Sequence, residues 1–147
     1  MKNPRLSSKA VLLHSTNFRE SSLIVTFFSL DFGLIKLVAK GAKLKNSKFS
    51  NIKVPGATFK IEFGGRSELK NLYTCETIGS LIIKESNFKI YLYLNELILK
   101  TLELEAPMKL IFNDLINLFK ELETVKDPLE KELKPVSYTH LTLPTKA

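Results

Sequence analysis

Short segments with a two-residue hydrophobic period occupy the first 80 residues of the 147-residue chain and restrict its fold more than any other feature. Because successive side chains of a β-strand point to opposite faces, such segments are predicted to be strands with one buried side. Residues 58–63 alternate in this way, and so do residues 34–40. In the latter segment the predicted inward side chains are Ile35, Leu37 and Ala39, and the predicted outward ones are Lys36, Val38 and Lys40.

Five strands are predicted in all, with a long connection between the third and the fourth. They cover residues 9–15, 22–30, 34–40, 58–63 and 69–77. Five short, mostly antiparallel strands in this arrangement favour a small closed barrel such as the OB-fold, although an SH3-like barrel would also fit the pattern. The predicted class is α+β, with a five-stranded antiparallel OB-fold barrel followed by a small α-helical portion.

The hydrophobic period changes to that of a helix from residue 86 onward. Ser86 or Asn87 is a suitable N-cap for a first helix, which is predicted to end at Pro107. A second helix is predicted to begin near Met108. The apolar stripes of both helices are predicted to be core, docked on the barrel or on further helices.

Three divisions of the chain are predicted. Residues 1–80 form an OB-fold nucleic-acid-binding domain, and residues 81–135 form an incomplete helical domain. Residues 136–147 break from the preceding composition and resemble a translated sequencing-adaptor tail. This tail is predicted to be foreign or disordered, so its His140 is left out of the functional argument.

Positive charge is concentrated in the predicted β half. Residues 1–80 hold 13 Lys and Arg against 5 Asp and Glu, a net charge of +8, whereas residues 81–147 hold 9 against 10, a net of −1; the two add to the +7 of the chain. A bias confined to one structural half indicates an anionic partner there. DNA, RNA and anionic lipid are all candidates by this argument alone.

The lysines of the third strand and of the loop after it form a predicted basic ridge. A flexible lysine loop can neutralise phosphates in many geometries, whereas an arginine fork requires one fixed geometry. The other interpretation is a solubilising edge strand, because exposed Lys also blocks unwanted strand pairing. The ridge consists of Lys36, Lys40, Lys43, Lys45 and Lys48.

Signals for catalysis, metal binding and membrane insertion are weak in this sequence. The single cysteine, Cys75, is predicted to be a small core hydrophobe, and there is no cysteine cluster to hold zinc. His14 is predicted to be an ordinary strand residue, and no triad, phosphate-binding loop or dinucleotide motif is recognisable. We therefore predict a cytoplasmic protein without enzymatic activity, cofactor, metal, membrane contact or small-molecule substrate.

Several motifs, in a fixed order, resemble the N-terminal part of the RecO family of DNA repair proteins. The polar turn at residues 17–20 is followed by an acidic-x-Gly turn at residues 31–33, and then by the sequence VAKGAK at residues 38–43 with Ser47 downstream. The sequence YLNEL at residues 93–97 matches a helix motif of the family. The resemblance covers about residues 8–123.

This resemblance implies an OB-fold followed by a helical domain, binding of single- and double-stranded DNA, and annealing of complementary strands. It also implies RecR and the single-strand DNA-binding protein as partners in loading RecA, without a cofactor. Family members are usually longer, and many carry a four-cysteine zinc site in a helical domain that is mostly missing here. An RNA-binding OB-type module and a non-enzymatic adaptor for acidic peptides are the alternative functions.

Aromatic residues of the barrel are candidates for stacking on bases. They are Phe27, Phe28, Phe32 and Tyr73, of which Phe32 is favoured because it lies in a turn. The predicted nucleic-acid-binding set combines this residue with the ridge and two arginines. It comprises Arg19, Phe32, Lys36, Lys40, Lys43, Lys45, Lys48 and Arg66.

Overall fold

The computed structural model describes residues 5–123, which form five strands and two α-helices. The predicted tail lies outside these residues, and the division of the chain at residue 80 stays a prediction. None of the helices within residues 5–123 has the length and apolar character needed to cross a membrane. The elements are β1 (Leu6–Phe18), β2 (Ser22–Ser29), β3 (Gly33–Ala39), β4 (Ala57–Gly64), β5 (Lys70–Ser80), α1 (Phe88–Thr101) and α2 (Lys109–Glu121), with 3-10 turns at Ser50–Lys53 and Glu85–Asn87.

The five strands close into a barrel in the order β1-β2-β3-β5-β4, and β4 pairs back onto β1. The predicted α+β class, an OB-fold barrel followed by a small helical portion, is confirmed. The strands are mostly antiparallel, as predicted, and the exception is the parallel pair of β3 and β5. An odd number of strands cannot close with every neighbour antiparallel, so a five-stranded barrel needs one parallel pair.

The barrel interior is filled by the side chains that the two-residue period predicts to point inward. Ile35, Leu37 and Ala39 are all buried in one apolar cluster with the inward residues of β4. Cys75 packs against the same cluster, and burial raises the pKa of its thiol to about 12. The thiol is therefore protonated and behaves as the predicted small hydrophobe.

Both helices dock on the outer side of the barrel. Phe28 and Leu34 point away from the barrel interior and are buried with the apolar faces of α1 and α2 in a second cluster. The phenol oxygen of Tyr91 in α1 accepts a hydrogen bond of 3.0 Å from the backbone N–H of Gly56. The prediction that the helical stripes are core is confirmed for most of their residues, but Leu110 of the second stripe is 82% exposed. The helices cover one part of the outer sheet surface.

The prediction that α1 extends to Pro107 is wrong, since the helix ends at Thr101. Residues 102–107 return to the barrel instead, where Leu104 bridges to Leu34 in a parallel arrangement. The backbone N–H of Glu105 donates to the Leu34 carbonyl over 2.8 Å. These contacts with β3 satisfy backbone groups that a longer helix would have bonded internally.

We expect Gly33→Ala to destabilise the docking of this returning segment. Gly33 has a φ of +70°, and a Cβ built on it would overlap the carbonyl of Ala106, whose carbon would be 2.6 Å away. Backbone strain and displacement of the 102–107 segment together should lower the free energy of unfolding by about 2 kcal/mol or more. Urea denaturation of the two proteins measures this difference.

Gly41→Ala is the matched control for that prediction. Gly41 has nearly the same φ, +71°, but a Cβ there would meet only the flexible end of Leu44 at 3.4 Å. The Gly41→Ala variant should therefore lose only about 1 kcal/mol of its free energy of unfolding, which is the cost of the backbone strain alone. Equal losses for the two variants would show that the close approach of Ala106 contributes nothing to stability.

Candidate nucleic-acid interface

The outer side of β1, β2 and β3 forms one continuous antiparallel surface outside the area covered by the helices. In the strand register His14 of β1 lies opposite Thr26 of β2, which lies opposite Lys36 of β3. The next outward row runs from Thr16 through Ile24 to Val38. We call this surface, which carries His14, Lys36 and Lys40, the basic face.

Lys36 and Lys40 are exposed, whereas Val38 between them is buried, with 7% of its surface accessible. Val38 lies on the predicted outer side of the strand, but Leu69 and Asn71 from the β4–β5 connection and β5 flank it in a groove. The expectation that its side chain faces solvent is thus wrong. The two exposed lysines therefore lie on either side of the buried Val38.

Acidic residues are absent from the three strands that form this face. The sequences of β1, β2 and β3 contain no Asp or Glu. The carboxylates on barrel strands are Glu62 of β4 and Glu76 of β5. The basic face therefore has a positive potential with no opposite charge built into its strands, which favours an anionic ligand.

Arg19 and Lys40 line the same groove, which we call the turn groove, with a volume of about 440 Å³. Arg19 has a φ of +57°, and its guanidinium carbon lies 4.9 Å from the centre of the Phe18 ring. The backbone N–H of Lys43 donates to the Ser21 carbonyl over 2.9 Å, which ties the basic loop to the β1–β2 turn. Two predicted site residues from distant parts of the sequence thus meet here.

The loop that carries Lys43, Lys45 and Lys48 is anchored to the barrel by the residues that follow the lysines. All three lysines are exposed, but Phe49 and Ile52, which follow them in the sequence, are each 1% exposed and belong to the barrel core.

Asn51 fastens the same loop to β5. Its side-chain nitrogen donates to the Cys75 carbonyl over 2.9 Å and to the Thr77 hydroxyl over 3.0 Å. The lysines consequently belong to a loop whose following residues pack into the barrel core and bond to β5, and we call this loop the cap.

Neither Phe32 nor Arg66 is among the residues that line the turn groove. Phe32 is half-buried in the β2–β3 turn, where its ring centre is 5.4 Å from that of Phe63 in an edge-on arrangement. It lines a second groove of about 400 Å³ together with Lys36, which we call the seam groove. Arg66 is exposed in the β4–β5 connection, next to Ser67, which lines the turn groove.

Three of the four aromatic candidates are poorly placed for stacking on bases. Phe27 and Phe28 are fully buried, one inside the barrel and one beneath the helices, so neither of these candidates is accessible to a base. Tyr73 is half-buried, with the guanidinium carbon of Arg5 4.7 Å from its ring centre. Phe32 keeps part of its surface accessible.

Four residues on the basic face were not predicted from the sequence: His14, Thr16, Ile24 and Thr26. They line a third groove of about 500 Å³, which we call the helix-side groove, since Leu99 of α1 forms its opposite wall. Their place depends on a register shift between Leu12 and His14 in β1, which reverses the expected alternation. No local signal in the sequence marks that irregularity.

Comparison with known proteins supports one family. The model of the family described as "Recombination protein O N terminal" matches residues 1–81. A "DNA repair protein RecO" of Enterobacter sp. (strain 638) is 35% identical over 128 residues, which cover 86% of this chain and 54% of the relative. The protein of the same description from Escherichia coli (strain K12) is 34% identical over 128 residues, covering 86% and 52%. The chain spans about half the length of the curated relatives it matches.

Proposed function

Because the chain belongs to the RecO family, whose curated members are named DNA repair proteins, we propose that it is a DNA-binding recombination mediator. The observation that carries this proposal is the segregation of charge on the barrel: β1, β2 and β3 contain no carboxylate, while Lys36 and Lys40 are exposed on their outer side. Binding through this face would use the phosphates of the DNA and only weakly its sequence.

The proposed mechanism combines a charged surface with an ordered cap. Five basic residues would neutralise phosphates along one path: Lys36 on β3, Lys40 directly after it, Lys43 and Lys45 on the cap, and Arg19 in the turn groove. Lysine ammonium groups act as point charges that accept many phosphate geometries, which suits both single- and double-stranded DNA. Neutralising two complementary strands lowers their repulsion, which is the physical requirement for annealing.

The partners and the place of action extend the same proposal. We propose that the chain works with RecR and the single-strand DNA-binding protein in loading RecA, in the cytoplasm and close to the bacterial DNA. We propose no catalytic role and no cofactor. Within residues 5–123, no three His, Cys, Asp or Glu side chains come together as a metal site.

Titration of a labelled thymidine oligonucleotide at several salt concentrations tests the proposal. We expect binding whose log affinity falls with log salt with a slope of about −2 to −4, since each neutralised phosphate of a single strand contributes about −0.7. An oligonucleotide of different sequence should bind within about threefold, because phosphates carry no base identity.

Competition separates the two alternative functions from this one. Unlabelled DNA should displace the labelled strand at lower concentrations than a poly-glutamate peptide of equal charge. Preferential displacement by RNA of the same sequence would favour the RNA-binding module, and preferential displacement by the peptide would favour the adaptor. Absence of DNA binding at low salt would overturn the proposal outright.

A further inference from the structure

The helix-side groove is built jointly by the barrel and the helical portion. The barrel contributes His14, Thr16, Ile24 and Lys36 from the basic face. The opposite wall comes from Leu99 and Leu102 near the end of α1 and from Leu104 in the segment that returns to β3. Its volume of about 500 Å³ lies within the range of sites for small organic groups, about 300–1,000 Å³.

The lining combines an apolar floor with a rim of hydrogen-bond donors. Ile24 and the three leucines offer apolar surface, while His14, Thr16 and Lys36 present polar groups at the edge. No residue that lines this groove within the described residues 5–123 carries a carboxylate. The seam groove differs, because Glu68 and Glu105 line it alongside its lysines and would repel a phosphate.

The groove is continuous with the path of the proposed DNA backbone. Lys36 lies at its edge, and the row from Thr16 to Val38 connects it to the turn groove that holds Lys40. Lys36 and Lys40 are four residues apart, about 13 Å along an extended strand. A strand held by both lysines would therefore pass over the mouth of the helix-side groove.

We propose that this groove receives a nucleobase of single-stranded DNA, so that the strand contacts the barrel and the helical portion together. The inference rests on the proposed DNA binding and adds a base-binding subsite to it. The flat apolar base would lie against Ile24 and the leucine wall, with the imidazole of His14 at its edge, while its phosphate remains near Lys36. A base inside a duplex cannot enter without leaving the stack, so the subsite favours single strands.

Paired oligonucleotides that differ only in their bases test the subsite. One is a thymidine oligonucleotide of about 12 nucleotides, and the other is an abasic chain of equal length and equal phosphate charge. We expect the wild-type chain to prefer the thymidine strand by about fivefold or more, the gain typical of one base held on an apolar platform.

Ile24→Ala and Ile78→Ala form a matched pair of variants for this measurement. Both residues lie on strands, neither belongs to an apolar core cluster, and Ile78 of β5 lines none of the three grooves described above. Ile24→Ala should reduce the preference for thymidine by about threefold or more while binding the abasic chain as the wild type does, and Ile78→Ala should leave both affinities unchanged. Abasic binding thus reports directly that each variant is folded.

His14→Ala is a second variant, exposed at the groove rim, which keeps the test decisive if Ile24→Ala is unstable. The same selective loss for thymidine supports the subsite. Equal binding of both oligonucleotides by the wild type, or an undiminished base preference in both groove variants, would overturn the subsite while leaving phosphate-mediated DNA binding intact. Failure of the wild type to bind either strand would overturn the proposed function and the subsite with it.

Discussion

Phe49→Ala is expected to lower the free energy of unfolding by about 3–5 kcal/mol, the usual loss for a fully buried phenylalanine. Phe49 is 1% exposed and enters the barrel core from the basic loop, beside Ile52. Its removal leaves a cavity in the barrel core and frees the loop that carries three lysines. The melting temperature should fall by about 10 °C or more.

Lys48→Ala is the control, because it changes the exposed neighbour of Phe49 in the same loop. Its ammonium lies 5.1 Å from the centre of the Phe49 ring, an exposed contact that contributes at most about 0.5–1 kcal/mol. Denaturation in urea compares the two variants under the same conditions. If Phe49→Ala unfolds at the same urea concentration as the wild type, the loop is not a structural cap.

The strands and their inward sides could be predicted because one buried face imposes a strict two-residue period. Ile35 and Leu37, and likewise Phe59 and Ile61, occupy the barrel core at the positions that this period assigns. The parallel contact of β3 with β5 could not be predicted from local pattern. It follows from the strand order around the barrel, which depends on pairings between distant segments.

The helical boundaries were harder to predict for a related reason. A proline ends a helix, but it does not reveal that the chain leaves the helix six residues earlier to pair with another strand. The Leu104–Leu34 bridge outweighs the local preference of residues 102–106, and tertiary contacts of this kind are not encoded in periodicity.

Asn87 stands at the N-cap position, yet its side chain donates to the Leu122 carbonyl over 3.3 Å rather than capping α1.

The candidate site was partly predictable. Charged strand residues such as Lys36 and Lys40 are expected at the surface, because burying an unpaired ammonium is very unfavourable. The sequence could not show that docked helices cover Phe28, or that Arg19 reaches the groove of Lys40. The place of His14 depends on an irregular register in β1, which becomes visible only once β2 is paired with it.

The largest expected effect on DNA binding is that of the double variant Lys36→Ala/Lys40→Ala. Both side chains are exposed on the basic face, where the adjoining strands carry no carboxylate. Loss of two phosphate contacts should flatten the slope of log affinity against log salt by about 1.4. Affinity at low salt should fall about tenfold or more, since each contact is a charge-assisted hydrogen bond.

Lys9→Ala/Lys60→Ala is the matched double variant away from the basic face, in the part of β1 that pairs with β4. These two exposed lysines lie opposite each other on β1 and β4, with Glu76 opposite Lys60 on β5. The variant removes the same net charge from a face that already carries carboxylates. It should therefore retain nearly the wild-type slope, and its affinity should change by less than about threefold.

The salt dependence of single-stranded DNA binding by these two double variants is the most direct test of the claim that the basic face around His14, Lys36 and Lys40 holds the DNA. We predict a flatter slope for Lys36→Ala/Lys40→Ala and an unchanged slope for Lys9→Ala/Lys60→Ala. Equal slopes and equal losses in the two variants would contradict the claim, because binding would then follow the net charge of the chain rather than this face.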